Sequence, residues 1–318
     1  MRHKYIFLIF IFTLLFFPVQ SMAQQRILYI DSYHEGYEWS DGITEGIQSV
    51  LRGEDVSLKI HRMDTKRNGS EAFKKNAGLA AKSVIENFNP HIVIASDDNA
   101  SKYLIKPYYK DSSLPFVFCG VNHSGKAYGY PYKNVTGMVE VSPIAKLIYS
   151  LKHFRRAEKV ALLIGDSLTD HKDAESYAEV INLRFDQFYV KNFEEWKNQY
   201  AQIQNSYDIL LIGNNASVDR WNTNEAISLV MSQTKIPTGC DLDFMTPFAF
   251  LGYTKVAQEQ GRWAAETALK ILISGTPVSQ IPIAKNKDGN LIVNLKVAKV
   301  AGIKVPNSFL RKAVRVIE

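Results

Sequence analysis

From Arg26 onward the chain alternates short apolar runs with longer stretches in which apolar residues recur every three or four positions. Arg26 to Ile30 carries no polar alternation, the pattern of a parallel strand buried on both faces. Val56 to Met63, His91 to Ala95 and Phe116 to Phe118 predict three further strands. Between them, Ser40-Asp41-Gly42-Ile43 opens a helix with Ile43, Ile47, Val50 and Leu51 on one stripe. Ser70 to Phe88 predicts a second helix, N-capped by Ser70 and stopped at Asn89-Pro90, and Asn99 to Tyr109 a third. Strand and helix alternating at these spacings predict an α/β fold with a doubly wound parallel sheet.

The stretch Val135 to Glu140 breaks the rhythm, and the alternation then begins again. Strands are expected at 160–164, 188–190, 208–212 and 236–240, with helices at 173–184, 193–204 and 223–232. The reading is a second α/β lobe, with Val135 to Glu140 as the crossover and the chain returning at Phe248 to Tyr253. One lobe is expected from residues 24–138 with 249–276, the other from 139–248 with 277–318. Ala257 to Ser274 predicts a long helix closed by Gly275, with Pro277 beyond it.

The first residues bear on compartment. Arg2 and Lys4 precede an uncharged apolar run from Tyr5 to Phe17, followed by Pro18 and Ser21-Met22-Ala23. This is the layout of a cleaved secretory signal over residues 1–23, the run being shorter than the roughly 20 residues a membrane span needs. No cysteine lies near the cut, so a soluble periplasmic or secreted chain of about 295 residues is expected, long enough for two cores. Removing Arg2 and Lys4 reduces the net charge from +6 to +4, with bases scattered among acids, which disfavours nucleic acid as a partner. Cys119 and Cys240, one in each half, each follow an apolar segment and are read as buried free thiols.

In an open parallel sheet, ligands bind beyond the carboxyl ends of the strands. The loops at those ends combine aromatic rings with short hydrogen-bonding side chains, as a site that orients a small polar solute requires. The candidates are Ser32, Tyr33, Tyr37, Trp39, Asp64, Ser96, Asp97 and Asn122 in the first lobe, facing Asp166, Asn214 and Asp241 in the second. The bland alternatives are that the rings cover the top of the lobe, and that Asp97 or Asp98 caps a helix start. His34 and His123 lack metal-site spacing, so neither a metal nor another cofactor is expected. Gly165-Asp166-Ser167-Leu168 resembles the nucleophile block of the GDSL esterases. It sits mid-chain, however, and no histidine follows His171 to serve as a distant general base, so no catalytic residue is assigned.

Taken together, Ile30 to Trp39, Met63 to Arg67, Ser96 to Ala100, Val117 to Asn122 and Val135 to Glu140 resemble blocks of the ABC transporter substrate-binding protein family that includes tryptophan-type binding proteins. Gly252-Tyr253, Gln260-Gly261, Ile271 to Gly275, Ile281 to Ile283 and Ala301 to Pro306 are similar to its C-terminal signature. The resemblance implies a two-lobed type I periplasmic binding protein that closes on a small-molecule ligand and hands it to an ABC permease and ATPase complex. The first-lobe loops are also similar to a subgroup used as extracytoplasmic sensors of histidine kinases, which implies ligand presentation to a membrane sensor as the alternative. Tryptophan is not carried over, because the first three strand-end loops differ from the tryptophan-type pattern.

Overall fold

The computed structural model describes residues 24–181 and 185–318; the signal-peptide expectation for residues 1–23 lies outside them. The first half of the chain runs β1 (Gln25–Asp31), α1 (Glu38–Leu51), β2 (Val56–Arg62), α2 (Glu71–Phe88), β3 (Ile92–Ser96), α3 (Asp97–Ala100), a wider π turn (Ser101–Ile105), α4 (Lys106–Tyr108), β4 (Phe116–Asn122) and β5 (Val135–Glu140). The second runs α5 (Ile144–Lys152), β6 (Val160–Gly165), α6 (Leu168–Ile181), β7 (Asp186–Val190), α7 (Phe193–Ser206), β8 (Ile209–Ile212), α8 (Thr223–Gln233), β9 (Thr238–Cys240) and β10 (Leu251–Thr254). Then come α9 (Ala257–Ser274), β11 (Ala284–Lys285), β12 (Asn290–Asn294), α10 (Leu295–Val300), α11 (Asn307–Lys312) and β13 (Arg315–Ile317).

These strands form two sheets, ordered β11-β5-β4-β3-β1-β2 and β13-β12-β10-β9-β8-β6-β7. All pairs are parallel except β10 with β12. The strand order reverses beside β1 in the first sheet and beside β6 in the second, so each lobe has a switch point between two strand ends. Ile27, Leu28, Tyr29 and Ile30 are wholly buried, as the unalternated run requires, because helices cover both faces. Leu28 and Ile30 pack in a core with Ala77, Ala81 and Ile85 of α2. Ile27 and Tyr29 pack on the other side with Ile43 and Ile47 of α1 and Ala264, Ala265 and Ala268 of α9.

Local signals account for several boundaries. Ser70 Oγ accepts the Phe73 amide at 3.3 Å, and Asn89 ends α2 in the left-handed region at φ 48°. Gly275 ends α9 at φ 63°. Cys119 and Cys240 are buried and free, as the sequence reading had it.

Two segments differ from expectation. Val135 to Glu140 is not a bare crossover but the fully buried strand β5, paired with β4. Its pattern is interrupted by Gly137, where a Cβ would overlap the Phe118 ring and carbonyl, so the close approach of β4 excludes any larger residue. Leu251 to Thr254, expected to return to the first lobe, is a strand of the second sheet between β9 and β12. Conversely, β11 lies in the first sheet beside β5, through Ala284 to Met138 and Lys285 to Val139. Between the sheets the chain therefore crosses after Glu140, between Thr254 and Ala257, and between Lys285 and Asn290. The helix Ile144–Lys152, not foreseen, follows the first crossing and buries Ile144, Leu147, Ile148 and Leu151 in the second lobe.

Candidate functional site

At the end of β1 the chain must turn from a buried strand into α1, and Asp31 organises that turn. Its Oδ1 accepts the Tyr33 amide and the Ser40 hydroxyl, both at 2.9 Å, while its Oδ2 takes Arg62 at 2.7 Å from the neighbouring strand. The loop so fixed presents Tyr33 and Tyr37 edge to face, with ring centroids 5.3 Å apart. Lys66 holds its ammonium 5.0 and 4.9 Å from the two centroids, a cation–π arrangement between the loops after β1 and β2.

Across the switch point, the end of β3 does not use Asp97 as the helix cap that was its alternative reading. Asp97 opens α3 at φ 67°, a backbone conformation that non-glycine residues rarely hold, and makes no side-chain cap. The Ala100 amide of that helix is instead accepted by Ser32 Oγ, which donates its own proton to the Ser96 carbonyl at 2.5 Å. This frees Asp97 to turn toward α1, where its Oδ1 accepts Trp39 Nε1 at 3.0 Å. Its Oδ2 is buried and unpartnered among the described residues. Burial, then the nearby Glu140 and Asp31 charges, push the Asp97 carboxyl well above the usual carboxylate range. Gly120, at φ 66°, leaves room for this contact: a Cβ there would stand 3.0 Å from Asp97 Oδ1. The Gly120 amide donates to Gln260 Oε1 of α9 at 2.9 Å, locking the β4 irregularity to the helix behind it.

The crossings place a second cluster opposite. Glu140 ends β5 and pairs with Lys255, which follows β10. Burial works to lower the Lys255 pKa, but the Glu140 charge and hydrogen bond, with Asp241 and Asp173, outweigh it and raise the net value. Lys255 Nζ also stands 5.9 Å from the Trp39 ring centroid. Asp241, after β9, is only 5 % exposed. Its Oδ2 accepts Ser142 Oγ at 2.5 Å and Tyr177 OH at 2.8 Å. His123, after β4, meets Asp173 of α6 at 3.4 Å, a contact made directly from lobe to lobe. A cavity of about 390 Å³ lies between these clusters, lined by Tyr37, Glu38 and Trp39 on one side, Asp241 to Phe244 on the other, and Thr254 and Lys255 at the crossing.

Of the residues proposed from sequence, Tyr37, Trp39 and Asp241 thus share one cavity, and Asp97 is bonded to Trp39. Tyr33 packs on Tyr37. Ser32 and Ser96 are turned inward; Ser96 Oγ lies 3.0 Å from Tyr29 OH. Asp64 is held by Arg67, at 2.7 and 2.9 Å, and by Asn68. The Arg67 hydrogen bond holds its carboxyl below the usual range. Asn122 donates to Asp98 Oδ2 at 2.5 Å. Asp166 engages His171 Nε2 at 2.8 Å, and Asn214 Oδ1 accepts the Ala216 amide of its own turn. The sequence reading missed Glu140, Ser142, Tyr177 and Lys255. The signal available for Glu140 and Lys255 was a charged residue directly after a buried strand at a lobe crossing. Ser167, the esterase-like serine, caps α6: its Oγ accepts the Asp170 amide at 3.2 Å and donates to Asp170 Oδ2 at 2.6 Å, while His171 faces Asp166 instead.

Comparison with known proteins agrees with this architecture. A solved ABC domain in complex with L-Trp from Streptococcus pneumonia is 18% identical, covering 93% of this chain and 100% of its own, with a TM-score of 0.57. The ligand-free, open structure of a substrate binding protein with adhesive properties from Clostridium difficile is 16% identical, covering 92% and 99%, with a TM-score of 0.68. At these identities the likeness is one of fold, the two-lobed type I periplasmic binding fold. No curated protein matches the chain significantly. The family model described as ABC transporter substrate binding protein matches residues 37–317, nearly all of the described chain, and the protein therefore belongs to the ABC transporter substrate-binding protein family.

Proposed function

We propose that this protein captures a small organic solute between its lobes, outside the cytoplasmic membrane, and delivers it to an ABC permease and ATPase complex. The observation that carries the reading is the cavity in which Tyr37 and Trp39, from the start of α1, face Asp241 and Lys255 from the second sheet and the crossing. Aromatic walls supply buried area, and a few fixed polar groups supply orientation, which is the composition of a small-solute site. Among the described residues no helix is long and apolar enough to cross a membrane. Hinge motion about the crossings would close the lobes on the solute.

The test is a solute screen followed by intrinsic fluorescence, with Trp39→Phe identifying the responding ring among the four tryptophans. A bound solute should lose at least about tenfold in affinity, or roughly 1.4 kcal/mol, in Trp39→Phe combined with Tyr37→Ala. Affinity within twofold of the parent in that double variant would place the site elsewhere. Neighbouring genes for a permease and an ATPase are expected; a neighbouring sensor kinase gene in their place would move the protein from transport to signalling.

A further inference from the structure

Trp39 faces two ways. Its half-buried ring packs against the core that holds Ile27, Tyr29 and Cys119, and its remaining surface lines the cavity. An indole has a single hydrogen-bond donor, Nε1–H, and in Trp39 it is spent inward on Asp97 Oδ1 at 3.0 Å. Asp97 itself is only 2 % exposed and lies behind the ring, outside the cavity lining. What the cavity meets of Trp39 is therefore ring carbon, not the N–H.

The strand ends are shaped around this bond. β3 and β4 pair Ser96 with Cys119, and the next residue of each, Asp97 and Gly120, turns into the left-handed region at φ 67° and 66°. For Asp97 that conformation is strained, and it is not repaid by a side-chain cap on α3. A Cβ on Gly120 would stand 3.0 Å from Asp97 Oδ1 and 3.5 Å from Trp39 Nε1, so the bond occupies the space a side chain would take. Gln260 of α9 fixes that glycine by accepting its amide at 2.9 Å. Burial favours the neutral form of the Asp97 carboxyl, which still offers the indole a carbonyl oxygen.

Resting on the cleft as the solute site, we propose that Asp97 is a positioning residue for solute recognition: its Oδ1 fixes the Trp39 indole so that the ring offers the solute an apolar face and no donor. Asp97 does this without touching the solute. The part of the solute against Trp39 is accordingly flat or apolar, with no acceptor to be satisfied there. A ring not held from behind must be immobilised by the solute itself, at a cost of about threefold to tenfold in affinity.

Nuclear magnetic resonance of the isotope-labelled chain from residue 24 onward reads the indole directly, with Trp39→Phe identifying its signal among the four tryptophans. The Trp39 indole proton should exchange with solvent more slowly than that of N-acetyltryptophanamide by about tenfold or more. Exchange as fast as in that free indole overturns the proposal, whether or not any variant folds. Asp97→Ala, checked for folding by thermal melting, should shift the signal and speed its exchange, and Asp97→Asn, which keeps an accepting oxygen, should restore both. A purely structural Asp97 lowers the melting temperature in Asp97→Ala but leaves the indole signal in place, which also overturns the proposal. Titration calorimetry with L-phenylalanine, L-leucine, adenine and D-glucose supplies the solute arm. The solute that the parent binds most tightly should lose about threefold to tenfold in Asp97→Ala and recover in Asp97→Asn. A loss of twofold or less in Asp97→Ala, where Trp39→Phe loses more, overturns the positioning role and leaves the cleft as the solute site. A loss in neither variant overturns both. If none of the four binds the parent at millimolar concentration, recognition by an apolar face is overturned, and the cleft reading is decided by the wider solute screen.

Discussion

Ser32 and Asp97 stand at the ends of adjacent strands, and the fold uses them in opposite ways. Ser32 gives both its hydrogen-bonding capacities to the backbone, one to the Ser96 carbonyl and one to the Ala100 amide. Asp97 is left to the indole and the interior. The loops of the candidate site could be picked out because strand ends in a parallel sheet are where ligands bind. Which short polar side chain turns inward could not, because a hydroxyl or a carboxylate beside a helix start can serve the backbone equally well. Asp97 titrates far above its unfolded value near 3.9, so its contribution to stability is full below about pH 3.9 and is lost as pH rises through the folded value. Asp97→Asn mimics the protonated form. Its stability relative to the parent should therefore grow as pH rises above about 4 in denaturant titrations; a constant or shrinking difference would contradict the assigned protonation. Ser167→Ala removes a helix cap and should cost about 1 kcal/mol in the same assay, while leaving solute affinity within twofold.

At the scale of elements, strands and helices that declare themselves by an unbroken period were readable, β1 and α9 among them. Those interrupted by a close approach were not. Gly137 breaks the apolar pattern of β5 because the Phe118 backbone and ring occupy the place of a side chain, and the break looked like a linker. The helix pair α1 and α9 shows the same device. A methyl on Gly46 would overlap the Gln258 carbonyl and one on Gly261 the Ile43 carbonyl, so the two helices touch backbone to backbone. That contact supports the rear of α1, whose N-cap Tyr37 and first-turn Trp39 line the cavity. Gly261→Ala should force the helices apart and lower stability by about 1–3 kcal/mol in chemical denaturation. If stability is unchanged, α9 does not pack as closely as described.

For the whole molecule, the two-lobed plan was legible from the restarted alternation, but the exchange of β10 and β11 between sheets was not. Membership of a sheet is decided by pairing partners far away in sequence, and a two-residue strand such as Ala284–Lys285 has no pattern of its own. The crossings after Glu140 and around Lys255 are tied by their own ion pair, so the crossings and the cavity share residues, and the proposed hinge motion would act on both. Solute binding should therefore reduce the radius of gyration measured by small-angle scattering, and an unchanged value at saturation would exclude lobe closure.

The three crossings also determine how this protein can be recombined. A lobe joined by a single linker can be exchanged between relatives with one cut, whereas here residues 141–254 lack β12 and β13, which complete the second sheet. Residues 24–140 likewise lack α9 and β11. A chimera that inherits a new second lobe must splice at all three crossings at once, and each splice falls beside a residue of the cavity or its ion pair. Exchanging lobes and rebuilding the candidate cavity are, in this topology, a single operation.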